Sequence, residues 1–530
     1  NQNHPYAADK GRILDRNRFV MTNTIDLYAN YNRKIGEDFE LGAMVGHSFL
    51  KTRSRTSYID AQNYPSPAFD VASVAANIVD ASAGLSEYAI ESYFARLSLA
   101  YKDRYVVNAT IRTDGSSRFA PDCRWGWFPS VSVGWNVSNE SFWNAEKTDL
   151  KIRASYGRTG NQDGISNYGW QALISGGVNY GGQSGIAISS SGNDRLTWET
   201  ADQYNAGFDL SFLGGKINMI ADVYLKNTNN LLYSKPVHAT TGETSILSNI
   251  GSMRNKGVEF TINTHLNLGK VLWSSSFNIA RNVNKLTSLL EDDLLSIGAN
   301  RALKLGRTVG SWYIFRTDGI YQYDGEVPQA LYDKGVRAGD VKYWDRNGDG
   351  NITDDDRIVT GNPNPKFSGG WNNTFKYKGL ELSLFFTYSY GNDVYASWMI
   401  PGSKPGHTRS LLKAYADNRW TGPGTSDKYP RAIYSYSGWN GKNSTMYLTD
   451  GSFIRLRSVT LGYTFPQRLV SKIHLKGLRV YAQGDNVFLC SRYPGWDPET
   501  SVNLDPRFYG EDNDGVPQPR IFKLGVNITF

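Results

Sequence analysis

The sequence predicts an all-β chain, a large transmembrane antiparallel β-barrel. Three observations carry this. The chain ends in the alternation I-F-K-L-G-V-N-I-T-F. It puts Phe522, Leu524, Val526, Ile528 and Phe530 on one side of a strand and Lys523, Gly525, Asn527 and Thr529 on the other. About fifteen such segments recur, in pairs joined by short turns and separated by long polar stretches. No run of about eighteen apolar residues exists, so transmembrane helices are excluded.

The terminal segment has the length of a tilted strand crossing a bilayer, about ten residues. Alone it would also suit the edge of a soluble sandwich, so the other segments decide. Alternation predicts strands over 21–32 and 39–49, over 93–101 and 105–112, and over 130–137 and 150–156. Further pairs cover 199–213 with 217–232, and 252–266 with 272–282. The last pairs are 367–377 with 380–390 and 454–465 with 478–488, and 522–530 closes the series. In 380–390 the residues Leu380, Leu382, Leu384, Phe386, Tyr388 and Tyr390 share a face. The long stretches are 51–90, 159–196, 286–366, 391–450 and 489–517. All fall at alternate connections, the asymmetry of a barrel with short periplasmic turns and long extracellular loops. With an odd number of strands and a chain end on the short-turn side, the first strand runs downward from outside. At least one earlier strand is therefore expected. Export also needs a signal, and the sequence opens at Asn1, so an upstream segment is expected. A lysine at Val526, on the apolar face, should be tolerated worse than one at Gly525.

Composition agrees. Hydrophobic residues are 40%, yet mean hydropathy is −0.46, because a barrel lumen is polar. The 33 Tyr and 14 Trp fit interfacial girdles or sugar-stacking surfaces. A net charge of +7 comes from scattered Lys and Arg, not a basic run interleaved with aromatics, so no nucleic-acid partner is expected. Cys123 and Cys490 make no disulfide framework, though one bridge between them stays open.

The sharpest local motif is D-R-N-G-D-G-N-I-T-D-D-D, residues 345–356. Asp345, Asn347, Asp349 and Asp356 place hard oxygens at loop positions 1, 3, 5 and 12, Gly350 provides the turn, and Asn351 offers a carbonyl. Ile352 can anchor the loop in apolar surroundings. The residue types and spacing suit calcium in a structural role. Asp356 stands where an EF-hand has Glu, and no flanking helices are evident, so a dockerin-type loop is expected. The alternative is an acidic turn without metal. No enzymatic function is expected. The six His show no ligand spacing, and no nucleophile elbow or P-loop occurs. The acidic run Glu291-Asp292-Asp293 reads as a solvated loop. Tyr168, Trp170, Tyr395, Trp398, Trp420, Tyr434, Tyr436 and Trp439 fall in long loops. They suit stacking on sugar rings, lining a peptide groove, or packing the loops. Trp398, Trp420 and Trp439 are expected as exposed anchors.

Several segments together resemble one family, the SusC/RagA-type TonB-dependent transporters of Bacteroidetes outer membranes. They are D-G-S-S-R-F at 114–119, W-G-W-F-P-S-V-S-V-G-W at 125–135, W-E-T at 198–200 and N-I-G-S-M-R-N-K-G-V-E-F at 249–260. They continue with D-R-N-G-D-G at 345–350, G-N-P-N-P-K-F-S-G-G-W at 361–371, D-G-S-F-I-R-L-R-S-V-T-L-G-Y at 450–463 and P-G-W-D-P-E at 494–499. The resemblance implies a barrel of about 22 strands filled by an N-terminal plug. Residues 1–530 would be its C-terminal part, with 311–366 a long extracellular loop carrying the calcium-type insert. The plug, the TonB-binding segment and about seven strands would lie outside this chain. It implies TonB-driven import of a bulky nutrient, an oligosaccharide before an oligopeptide, under a SusD-like surface lipoprotein acting as a lid. Phe530 would be the signal read by the outer-membrane assembly machinery. A passive porin or adhesin barrel, and a soluble glycan-binding module, are the competing classes.

Overall fold

The structure is a computed structural model. It describes residues 11–66, 68–144, 147–238, 240, 243, 245–289, 293–402, 410–433 and 438–530. Tyr434, Tyr436, Glu291 and Asp292 lie outside the described residues.

Fifteen strands form one sheet in the order of the sequence. They are β1 (Arg12–Ile35), β2 (Phe39–Gln62), β3 (Asn77–Tyr101), β4 (Tyr105–Ser116) and β5 (Trp125–Asn136). Next come β6 (Thr148–Asn161), β7 (Glu199–Phe212), β8 (Ile217–Asn229), β9 (Gly251–Leu268) and β10 (Val271–Leu289). The last are β11 (Phe367–Tyr377), β12 (Leu380–Tyr390), β13 (Phe453–Thr464), β14 (Gly477–Ser491) and β15 (Ile521–Thr529). Each coincides with one of the segments expected from alternation. No described helix is long and apolar enough to cross a membrane. The tight turns have the backbone that twisted hairpins require. Lys102 and Asp103, and again Lys378 and Gly379, take positive φ at both central positions.

The ends of β1–β3 correct the sequence reading. A loop over 51–90 was expected, but β2 runs on to Gln62 and β3 begins at Asn77. The added stretch lacks apolar alternation because it lies beyond the apolar band. It is held by an unbroken ladder, Arg12↔Gln62 to Ile35↔Phe39, and by ion pairs of Glu87 with Lys51 at 3.6 Å and Arg53 at 3.2 Å.

The chain divides into two compact units. In the first, residues 1–135, 155–203 and 228–251, the outward face of the strands carries an aromatic row at each end. Phe39, Tyr101, Tyr105 and Trp135 stack in sequence at 4.6, 6.4 and 6.3 Å. His47, Tyr93 and Trp125 form the other row at 4.8 and 6.1 Å. Between them Val131, Val133, Leu97 and Ile111 are exposed. From Trp125 to Trp135 the strand rises about 34 Å, or about 26 Å along the normal at a tilt near 40°, close to the ~25 Å apolar band of an outer-membrane barrel. Exposed apolar residues in this band are in the medium they prefer.

In the second unit, residues 136–154, 204–227 and 252–530, the same logic holds. Phe367 stacks on Tyr390 at 4.9 Å at one end and Tyr463 meets Phe465 at 4.9 Å at the other. Polar groups between them are answered by indoles. Trp371 Nε1 donates to Ser275 Oγ at 3.0 Å and Trp273 Nε1 to Asn373 Oδ1 at 3.2 Å. On the opposite face charges pair across strands, Arg153 with Asp222 at 2.8 Å, Arg479 with Glu381 at 2.9 Å and Lys523 with Asp485 at 2.7 Å. Along β15, Leu524 is 88% exposed and Val526 57%. The expectation for Gly525 needs correction. A Cβ there would stand 2.3 Å from the Tyr481 ring, so lysine at that position is obstructed whatever the polarity of the lumen.

Candidate functional site

The described residues of the long connections in the second unit, 293–366, 391–402, 410–433, 438–452 and 492–520, fold into a body with its own core. Phe315, Val341, Tyr343, Ile352 and Trp439 belong to one buried cluster. Trp312, Ile314, Tyr395, Met399, Tyr447 and Tyr493 belong to another. Apolar burial of this extent is what lets chain between strands hold one conformation against its entropy.

Buried charges fix how these segments cross. Arg301 is fully buried with its guanidinium 4.1 Å from the Trp312 ring. It donates to the carbonyl oxygens of Gly310, of Phe508 at 3.3 Å and of Tyr509 at 3.0 Å, and Glu511 lies 3.8 Å away. Burial pulls its guanidinium down to about 10, partly opposed by Glu511, so it stays charged at neutral pH. Asp340, also fully buried, takes a forked pair from Arg431 at 2.9 and 3.0 Å and an N–H from Asn440 at 2.9 Å. Arg455 pairs with Asp497 at 2.5 Å and Glu499 at 2.7 Å. Burial also raises the Tyr395 and Tyr447 hydroxyls, keeping both neutral.

The expected exposed anchors are corrected here. Trp439 is 8% exposed, its Nε1 bonded to the Val341 carbonyl at 2.7 Å. Trp420 is half-buried, its Nε1 on Gln322 Oε1 at 3.2 Å, and Tyr395 is fully buried. Trp398 is half-buried and donates to Tyr493 Oη at 3.0 Å, which donates to Asp512 at 2.5 Å. These rings build the body because each indole N–H finds a partner inside it. In the first unit Tyr168 is exposed and its hydroxyl accepts the Glu87 N–H at 3.1 Å, while Trp170 is half-buried.

What the sequence reading missed is the tip of the last long connection. Trp496, Leu504 and Val516 are exposed, Trp496 by 83%. Trp496 and Val516 line a cleft of about 560 Å³ with Trp398, Leu412, Pro494 and Asp512. The signal was present in P-G-W-D-P, an indole between a Gly and an Asp with a Pro on either side, where alternation cannot bury it.

The 345–356 loop is satisfied by its own backbone. Gly348 and Gly350 take φ of +75° and +76°. Asp345 accepts the N–H groups of Gly348 at 2.7 Å and Gly350 at 2.8 Å, and Asn347 accepts that of Asp349 at 3.1 Å. Asp349 accepts that of Asn351 at 2.7 Å. Buried Asp356 accepts from Arg346 at 2.9 Å and Thr353 at 2.7 Å, and Lys334 Nζ donates to Asn351 Oδ1 at 2.7 Å. Among the described residues no group of three Asp, Glu, His or Cys side chains could hold a metal ion. Ile352 is buried in the first apolar cluster, as expected of the anchor. Cys123 and Cys490 are both free, and Phe530 closes the chain in an exposed position.

The family model described as TonB dependent receptor-like, beta-barrel, matches residues 1–487. The chain belongs to this family. Its members are transporters rather than enzymes, and the chain is an outer-membrane β-barrel. It is 33% identical over 525 residues to TonB-dependent receptor P26 of Formosa agariphila, covering 94% of this chain and 52% of the relative. It is 29% identical over 531 residues to TonB-dependent receptor SusC of Bacteroides thetaiotaomicron, covering 95% and 50%. Among solved structures, the RagAB peptide transporter superposes with a TM-score of 0.85 at 23% identity, over 98% of this chain and 56% of that one, a likeness of fold. This receptor chain thus spans about half the length of the curated relatives it matches.

Proposed function

We propose that the whole protein imports a bulky nutrient across the outer membrane, energised through TonB, with a surface lipoprotein closing over its long extracellular loops. The observation that carries this is the loop body of the second unit. Its core and buried charges hold three connections in place, yet Trp496, Leu504 and Val516 stay in water. Large exposed apolar side chains on a rigid base mark a contact surface. We assign Leu504 and Val516 to the lipoprotein. The cleft of Trp398 and Trp496 with the exposed Asp514 offers ring faces and a carboxylate, a combination suited to an oligosaccharide. An oligopeptide is the second reading, favoured by the fold shared with a peptide transporter. Phe530 is the group the assembly machinery would read.

In the full-length protein, Leu504→Asp with Val516→Asp should abolish co-purification of the lipoprotein. Trp496→Ala should keep the lipoprotein but lower oligosaccharide affinity by about tenfold, since a stacking aromatic contributes on the order of 1–1.5 kcal/mol. Unchanged co-purification and unchanged affinity would remove both assignments.

Calcium is proposed to order the 345–356 loop, through Asp345, Asn347, Asp349, Asp356 and the Asn351 carbonyl. Support comes from the donor spacing, the positive φ of Gly350 and the buried Ile352 anchor. Chelator should speed proteolysis within the loop, and Asp345→Ala with Asp349→Ala should make that rate insensitive to chelator. Equal rates with and without chelator in the unaltered protein would exclude the ion.

A further inference from the structure

The outward face of β9 changes character near its upper end. Val258 is exposed there as an apolar side chain. Continuing the same alternation, Lys256 and Arg254 follow, both exposed. Gly257 points the other way, since a Cβ on it would lie 2.4 Å from the Tyr224 ring. On β10, Asn284 and Asn282 donate to Asn255 at 2.9 and 3.3 Å across that inner face, so Arg281, Val283 and Lys285 face outward. Asn255 thus faces Asn282 and Asn284, which brings Arg254 and Lys256 alongside Arg281, Val283 and Lys285 on the outward face.

The depth of this patch is fixed by the neighbouring strand. Ala280 pairs with Ser368, which brings Arg281 level with Phe367, the ring stacked on Tyr390 at the outer end of the apolar band. The four basic residues therefore stand at or just above headgroup depth. All four are exposed, and among the described residues none is in an ion pair. Arg254 Nε donates only to Asn227 Oδ1, at 2.8 Å. Asp222 is taken by Arg153 on the inner face, and Glu259 alternates inward with Gly257. Like charges opposite one another on adjacent strands are destabilising unless an anion answers them.

We propose that Arg254, Lys256, Arg281 and Lys285 bind the phosphate groups of an anionic glycolipid in the outer leaflet. The apolar face directly below, with Val258, takes its acyl chains. A second copy of the chain would bring the same positive charges to this face, so it does not complement it.

The test uses the full-length protein in zwitterionic detergent, titrated with bisphosphorylated lipid A in mixed micelles. Lys256→Gln with Arg281→Gln should weaken binding about 25-fold, at about fivefold per neutralised charge near an anionic surface. Dephosphorylated lipid A should bind the unaltered protein no better than the phosphorylated lipid binds the variant. Millimolar inorganic phosphate should not compete. Equal affinity of variant and unaltered protein would overturn the proposal. So would full competition by inorganic phosphate, which would make the patch a free-anion site. A change in oligomeric state of the variant, with lipid binding intact, would make it an interface between copies.

Discussion

Lysine at Val131 or Val526 should destabilise the barrel by about 2–4 kcal/mol, because each position puts a charge into hydrocarbon. Val131 stands between the two aromatic rows of the first unit, and Val526 is midway along the exposed apolar face of β15. Ser132, one residue from Val131, alternates to the other face and faces Asn108 at 3.4 Å. Ser132→Lys should cost less than half as much, since its ammonium reaches the wet side. Gly525 cannot serve as this control, because Tyr481 fills the space its side chain would need. The readout is the folded fraction against urea in lipid vesicles. Equal losses at Val131 and Ser132 would argue that neither face meets lipid.

Arg301→Met should open the loop body at a cost of about 3–5 kcal/mol, the range for removing one partner from a buried charge network. The loss exceeds that of an ion pair. The carbonyls of Phe508 and Tyr509 lose a charged donor, and Trp312 loses the guanidinium against its face. Lysine should not restore it, because a point charge cannot reproduce the planar fork that reaches three carbonyls. Chymotrypsin should cut the variant within 492–520 much faster, while the heat-resistance of the barrel strands stays unchanged. Undiminished protection of that segment would show that the apolar clusters alone hold it.

All fifteen barrel strands were legible in the sequence because lipid contact writes an apolar residue at every second position. The upper halves of β2 and β3 were not. Lys51, Arg53 and Glu87 stand outside the band, where no medium enforces alternation and the ladder alone keeps the strand. In the loops the same residue type takes opposite fates. Trp439 is buried because strand Val341–Tyr343 passes near enough to accept its N–H, whereas Trp496 has prolines and an exposed turn around it. Sequence spacing carries no record of that difference. Arg301 was missed for a related reason. A single arginine in a polar stretch reads as solvated, and only the fold brings Trp312 and the 508–511 backbone to it. The anchor role of Ile352 was legible because a turn of fixed spacing leaves one apolar position to face inward.

The central claim is that these strands belong to an energised importer. The direct measurement is uptake of a labelled oligosaccharide by cells carrying the full-length protein, with and without TonB. Uptake should disappear without TonB while the barrel remains folded in the outer membrane. Uptake at the same rate without TonB would contradict the account and make the protein a passive pore.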